Sequence, residues 1–201
     1  MSETILSVAV LIISASLHEA AHGYAALWLG DPTAKLAGRL TMNPLRHLDP
    51  LGSVLVPAIL AMLGSPILFG WAKPVPYNPY NLTNRRWGEA LVAVAGPLSN
   101  ILLAGVFAIA FRIGAMSLSP ALATFFGVVV LVNLALAAFN LMPIPPLDGS
   151  KILASFLGQR GRAFLAMPFA GSILFVLIVA YALWPIIERW VLIAASFALG
   201  G

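Results

Sequence analysis

Residues 4–29 form an apolar run longer than the roughly 20 residues that cross a bilayer, and its only charge-bearing side chains are His18, Glu19 and His22. Such a run dictates a transmembrane helix, because hydrocarbon admits only structures that satisfy their own backbone. It also poses a problem. A charged side chain at mid-membrane costs roughly 2.5–3.5 kcal/mol on insertion scales, so three ionisable groups within five residues call for a compensating partner. On a helix His18 and His22 lie one turn apart on the same face, with Glu19 about a hundred degrees round from His18. Two imidazoles so placed can clamp one metal ion, and an adjacent carboxylate can act as general base to a metal-activated water. The pattern points to hydrolysis within a membrane.

Composition agrees with an integral membrane protein. Of 201 residues, 61% are hydrophobic and 9% charged, against about 25% charged in soluble domains, too little polar surface to coat a water-soluble globule. The eleven Lys and Arg exceed the seven Asp and Glu, an excess expected to collect in cytoplasmic loops. These basic residues are scattered between apolar spans rather than forming a stripe, which argues against nucleic acid as a partner. Cysteine is absent, so thiolate catalysis and thiolate metal sites are excluded and any transition metal must rely on His and carboxylate. Met1-Ser2-Glu3 lacks the basic n-region of a secretory signal, and the segment behind it carries the metal motif, so it is read as a permanent first span.

The expected fold class is an all-α polytopic membrane protein. It has a three-helix catalytic core, additional transmembrane or re-entrant helices, and a small β-hairpin near the membrane face. One domain covers residues 1–201, with a core of about 4–150 and C-terminal helices within about 163–199. Gly30-Asp31-Pro32 should stop the first span. Residues 34–41 alternate weakly enough for a short strand, and the extended Lys73-Pro74-Val75-Pro76 could pair with it. Such an edge could receive an unwound substrate segment, or the hairpin could simply cover the site. Pro57 and Gly64-Ser65-Pro66 interrupt an apolar stretch at 51–69. Later spans are expected at 87–116 (after Arg85 and Arg86), 120–142 and 164–184, with a marginal one at 185–199. Arg85 and Glu89 suit an i, i+4 pair.

Asp148 is a second acidic residue at the exit of a hydrophobic span. Two histidines leave a catalytic zinc one protein ligand short of the usual three, and Asp148 is the best candidate to complete the set. The bland alternative is a turn aspartate before Gly149. If Asp148 meets His18 and His22, the first span and the span at 120–142 must run in the same direction, with 87–116 as the return. Residues 51–69 must then dip in and come back rather than cross. The positive-inside rule favours that arrangement, because it gathers most Lys and Arg on the metal side and puts the metal near the cytoplasmic face.

Three motifs occur in order: His18-Glu19-Ala20-Ala21-His22, then Ala95-Gly96-Pro97-Leu98-Ser99-Asn100, then Asn140-Leu141-Met142-Pro143-Ile144-Pro145-Pro146-Leu147-Asp148-Gly149. Together they resemble the site-2 protease family of intramembrane zinc metallopeptidases, in a compact form without PDZ-like or nucleotide-sensing domains. The resemblance implies one zinc ion per chain held by His18, His22 and Asp148, with Glu19 activating the water. Asn140 is implied to hold the substrate backbone or the developing oxyanion, although an asparagine there can also serve as interhelical glue. It further implies regulated intramembrane proteolysis of transmembrane protein substrates by a multi-pass protein of the cell membrane, with fragments released to the cytoplasm.

Asn100 and Asn133 could wet a path to the metal or simply bond helix to helix. Gly96, Ala104 and Gly105, with Ala20, Gly23 and Ala26, are small enough for close helix packing. His47 and Asp49 read as interfacial turn residues. Two other functions compete: a polytopic metal-ion transporter, which would need ligands repeated along several spans, and an inactive membrane-binding relative.

Overall fold

The computed structural model describes residues 2–41, 43–63, 72–84, 86–114, 118–165 and 173–200. Within them lie the helices α1 (Ser2–Trp28), α2 (Thr33–Leu36), α3 (Val56–Met62), α4 (Gly88–Gly114), α5 (Pro120–Asn140), α6 (Asp148–Leu157), α7 (Gln159–Leu165) and α8 (Ile173–Leu199). Among the described residues, four stretches are long and apolar enough to cross a membrane: Glu3–Trp28, Gly88–Gly114, Pro120–Asn140 and Tyr181–Leu199. α1 ends where the sequence predicts. Gly30, at φ 100°, sends its N–H to Leu27 O, and Asp31 N–H reaches Ala26 O, the paired bonds of a Schellman cap. α5 starts on Ser119, whose hydroxyl accepts from Leu122 N, with Pro120 opening the helix.

The membrane-length helices are built inside out. On α4 the residues turned inward are small (Ala90, Ala93, Gly96, Ala104 and Ala108), whereas Leu98, Leu102, Val106 and Ile109 are exposed. Small residues let helix backbones approach closely, and lipid tails take the large apolar side chains. Gly105 is the exception to the expected packing, with open space around it.

Helix directions follow from the bonds between helices. Ser14 and His18 of α1 meet Asn133 of α5 and Asp148 just beyond it, in that order, so α1 and α5 run the same way. His18 and His22 meet Asn100 and Val92 of α4 in reverse order, so α4 is the return. α8 also runs back: Ala195 packs with Ala108 and Val130, while Leu183 and Ile187 pack against Met142 and Leu147 beyond α5.

Two expectations need correction. No strand occurs among the described residues, and residues 34–41 and 73–76 do not form a hairpin. The Asp31 carboxylate accepts from Thr33 N and Oγ1, nucleating a helical turn that Ala, Lys and Leu readily continue. Gly38 (φ 65°) then closes it with a second Schellman cap, Gly38 N to Lys35 O and Arg39 N to Ala34 O. The two segments do meet, through the Arg39 guanidinium on Lys73 O at 2.9 Å, by side chain rather than by ladder. Secondly, the C-terminal region does not divide at Pro185. α8 continues through it, and Leu183 and Ile187, on either side, are seated against one cluster, holding the helix together where proline removes a bond. His47 is a turn residue, as expected, its N–H on Pro44 O and its fully buried ring bonded through Nε2 to Thr41 O. Asp49 is likewise the expected turn residue, accepting from Leu51 N and Gly52 N.

The stretch at 51–69 contains a π-helical turn, Pro50–Leu55, and α3. At about 1.5 Å per residue, α3 covers roughly 10 Å, a third of the hydrocarbon core. Lys73 N donates to His47 O at 2.7 Å, so the chain leaves and returns at one point, as a re-entrant excursion requires. Gly64-Ser65-Pro66 and Arg85 lie outside the described residues.

Candidate metal centre

The centre is assembled from three elements. α1 presents His18 and His22 on one face, and α4 lies against that face with Gly96 at the contact. A methyl group on Gly96 would fall 2.5 Å from His18 Nε2 and 2.5 Å from His22 Cε1, so the absent side chain is what makes room for the imidazoles. The turn after α5 brings Asp148 in as the first residue of α6, where a carboxylate is favoured by the helix dipole. Gly149 permits that turn: a Cβ there would lie 2.1 Å from Leu141 O.

The three side chains converge. Asp148 Oδ2 is 3.0 Å from His18 Nε2 and 3.2 Å from His22 Nε2, and the two Nε2 atoms are 3.0 Å apart. All three residues are buried, and they form a group able to hold a metal ion. Tetrahedral zinc, with bonds of about 2.0–2.1 Å, sets neighbouring ligand atoms roughly 3.3 Å apart, close to the triangle observed. The outer nitrogens strengthen the fit. His18 Nδ1 lies 2.6 Å from Asn100 Oδ1 and His22 Nδ1 lies 2.7 Å from Val92 O. Carbonyl oxygens only accept, so each Nδ1 carries the hydrogen and each neutral ring turns an Nε2 lone pair inward. Two lone pairs and a carboxylate oxygen face one another, an arrangement that a cation at their centre stabilises.

Around this trio sit residues of opposite charge. Lys151 Nζ lies 3.5 Å from Asp148 Oδ1 and 5.7 Å from the centre of the Tyr77 ring. Burial works against the ammonium charge, but Tyr77, Asp148 and Glu19 together hold the Lys151 pKa above the ordinary lysine value. The i, i+3 spacing of Lys151 from Asp148 on one helix is the sequence signal for this pairing.

Glu19 is half-buried beside the trio, its Oε2 accepting from Val75 N at 2.9 Å. The Pro74-Val75-Pro76 segment thus lies against the carboxylate. Asn140 is the last residue of α5; its Nδ2 donates to Leu136 O at 3.0 Å, and it makes no hydrogen bond to the trio. Asn100 and Asn133 do bond helix to helix, Asn100 Nδ2 donating to Asn133 Oδ1 at 2.8 Å.

Comparison with known proteins agrees with this geometry. Peptidase family M50 matches residues 113–183, which include Asn133, Asn140 and Asp148. The chain is 39% identical over 194 residues to "Putative zinc metalloprotease YwhC" of Bacillus subtilis, covering 90% of this chain and 85% of that protein. It is 32% identical over 189 residues to "Putative zinc metalloprotease Rip2" of Mycolicibacterium smegmatis, covering 92% of this chain and 70% of that protein. Rip2 of Mycobacterium tuberculosis matches to the same extent. No solved structure matches the chain. With a similarity that covers 90% of this chain and 85% of YwhC, and with a buried His-His-Asp trio where the apolar helices meet, the chain belongs to peptidase family M50, the site-2 proteases, and is a zinc metalloprotease.

Proposed function

We infer that this zinc metalloprotease hydrolyses peptide bonds in or beside the transmembrane segments of other membrane proteins. In this reading His18, His22 and Asp148 hold the ion and Glu19 takes the proton of the attacking water. The observation that carries it is the convergence of three ligand atoms within 3.2 Å, two of them on a helix long and apolar enough to span a bilayer and the third just beyond the end of another. Bound zinc supplies Lewis acidity and lowers the pKa of a coordinated water toward about 7. The chain's own residues do the rest. Glu19 accepts a proton and returns it to the leaving amine, a role worth about 10²–10⁴ in rate. Asn140 offers its amide to the substrate backbone or the developing oxyanion; one of its two N–H groups donates to Leu136 O, and the second remains for that contact. A substrate helix hides its carbonyls in internal hydrogen bonds, so it must unwind before attack.

Placement of the metal end toward the cytoplasm is supported by charge. Lys35, Arg39, Arg46, Lys73, Arg85, Arg86, Lys151, Arg160 and Arg162 all fall in the segments joined to that end.

Purified protein tests the reading by bound zinc and by cleavage of a model transmembrane segment. Glu19→Gln is expected to keep one zinc per chain and lose turnover at least a hundredfold. Wild-type turnover in that variant excludes the role of Glu19, and wild-type zinc content in Asp148→Ala excludes the ligand set.

A further inference from the structure

A chain of amide groups runs from the centre of α5 to His18, and its direction is not arbitrary. Asn133 and Asn100 are fully buried within apolar helices. Asn133 Nδ2 donates to Val129 O at 2.8 Å and to Ser14 Oγ at 2.9 Å. A backbone carbonyl cannot donate, so the nitrogen of Asn133 must face it and Oδ1 must face away, toward α4. There it accepts from Asn100 Nδ2 at 2.8 Å. With its nitrogen so engaged, Asn100 turns Oδ1 to His18 Nδ1, 2.6 Å away, and that oxygen demands a hydrogen on Nδ1. Reversing either amide would set oxygen against oxygen or leave a buried donor unpaired. One carbonyl on α5 therefore dictates which nitrogen of an α1 imidazole is free.

We propose that Asn133 and Asn100 are positioning residues which lock His18 in the Nδ1–H form, so that its Nε2 lone pair is available to zinc before the ion arrives. His22 reaches the same state by a single bond to Val92 O; His18 has no backbone carbonyl in that place and uses the relay. The proposal rests on the ligand set given above, and adds to it that zinc affinity depends on a residue three hydrogen-bonded groups away. Merely gluing helices together would need the same bonds but no particular polarity.

The test uses full-length protein in detergent. The chain has three histidines, so nitrogen-15 spectra of the imidazoles are assignable by single substitutions. Zinc-free wild type is expected to show His18 protonated at Nδ1. Asn133→Leu is expected to give a mixture of both His18 forms and to weaken zinc about tenfold or more in a chelator competition, the usual cost of removing an outer partner of a ligand. Asn100→Asp, introduced on top of Asn133→Leu, is expected to restore both, because a carboxylate accepts from Nδ1–H whichever way it turns, although the α4–α5 bond stays lost. Helix glue predicts that the second change restores nothing. His18 bare at Nδ1, with its ring hydrogen on Nε2 alone, in the zinc-free wild type overturns the proposal, and does so even if Asn133→Leu fails to fold. Wild-type affinity and ring form in Asn133→Leu, or failure of Asn100→Asp to rescue, also overturn it. Asp148→Asn in the same assay separates the two readings: unchanged zinc binding there sinks the ligand set, while the ring signature still judges the relay.

Discussion

At the scale of single residues, the centre depends on absent atoms as much as on present ones. Gly96→Ala adds one methyl group on the face of α4 that touches both imidazoles, 2.5 Å from each ring. Both rings must turn, which breaks the Nε2 triangle. Alanine is the better helix former by roughly 0.5–1 kcal/mol, so helicity should be kept while zinc affinity falls 10- to 100-fold. Circular dichroism and chelator competition on the same sample check this, and equal affinity in wild type and variant would show that the rings tolerate the methyl. The histidines and Asp148 were legible in the sequence because charge inside an apolar run is conspicuous and i, i+4 spacing is local. Gly96 was legible only as a small residue. Val92 was not legible at all, since it acts through a carbonyl that every residue carries, and Lys151 joined the centre only once α6 placed it beside Asp148.

At the scale of elements, the segments between α1 and α4 are tied down by Asp31 and lie against Glu19 through Val75. Asp31 is fully buried and accepts from Thr33 N, Thr33 Oγ1, Asn78 N and Asn81 Nδ2. Burial raises its pKa, but these bonds outweigh burial and hold the carboxyl below the ordinary value. A carboxyl with a depressed native pKa stabilises fully above its unfolded value, about 3.9, and loses that contribution as pH falls through the native pKa. Asp31→Asn should therefore lower stability by about 1–3 kcal/mol at pH 7. The difference from wild type in thermal unfolding should persist down to about pH 5 and shrink below pH 4. A gap that instead widens in acid would mean that Asp31 is not the bonded carboxylate. Val75 gives the second prediction. On the proposed role of Glu19 as base, the Val75 N–H competes with the incoming proton for one of its two carboxylate oxygens. Val75→Pro removes the donor, and a several-fold rise in cleavage of a model substrate is expected, with zinc content unchanged. The strand expected at 34–41 failed at this same scale: weak alternation over eight residues lost to the Asp31–Thr33 bond and to Gly38, contacts that outweigh period-2 patterning in so short a segment.

At the scale of the whole molecule, topology ties the metal chemistry to the membrane. Asp148 can reach His18 only if α1 and α5 are parallel, and the bonds Ser14–Asn133 and His18–Asp148 give that sense. With α4 and α8 running back, the ends of α1 and α5 and the starts of α4 and α8 share one side. The segments joined there hold nine of the eleven Lys and Arg, and Arg112 lies at the other end, its guanidinium on the terminal carbonyls of α8. That asymmetry was readable from sequence alone, because charge placement needs no tertiary contact. The C-terminal helix was not, because proline reads as a break unless its neighbours are known to be clamped. The orientation proposed from the positive-inside rule can be measured directly. The chain has no cysteine, so each substitution is a unique thiol for an impermeant maleimide. Leu36 and Tyr80 are exposed, at 82% and 83%, and flank the 51–69 excursion; Ala121, also exposed, begins α5 at the opposite end. Leu36→Cys and Tyr80→Cys should both be labelled only when the reagent enters the cytoplasm, and Ala121→Cys from outside intact cells. Labelling of Leu36→Cys and Tyr80→Cys from opposite sides would mean that 51–69 crosses, which would set α1 and α5 antiparallel and pull Asp148 a full membrane thickness away from the histidines.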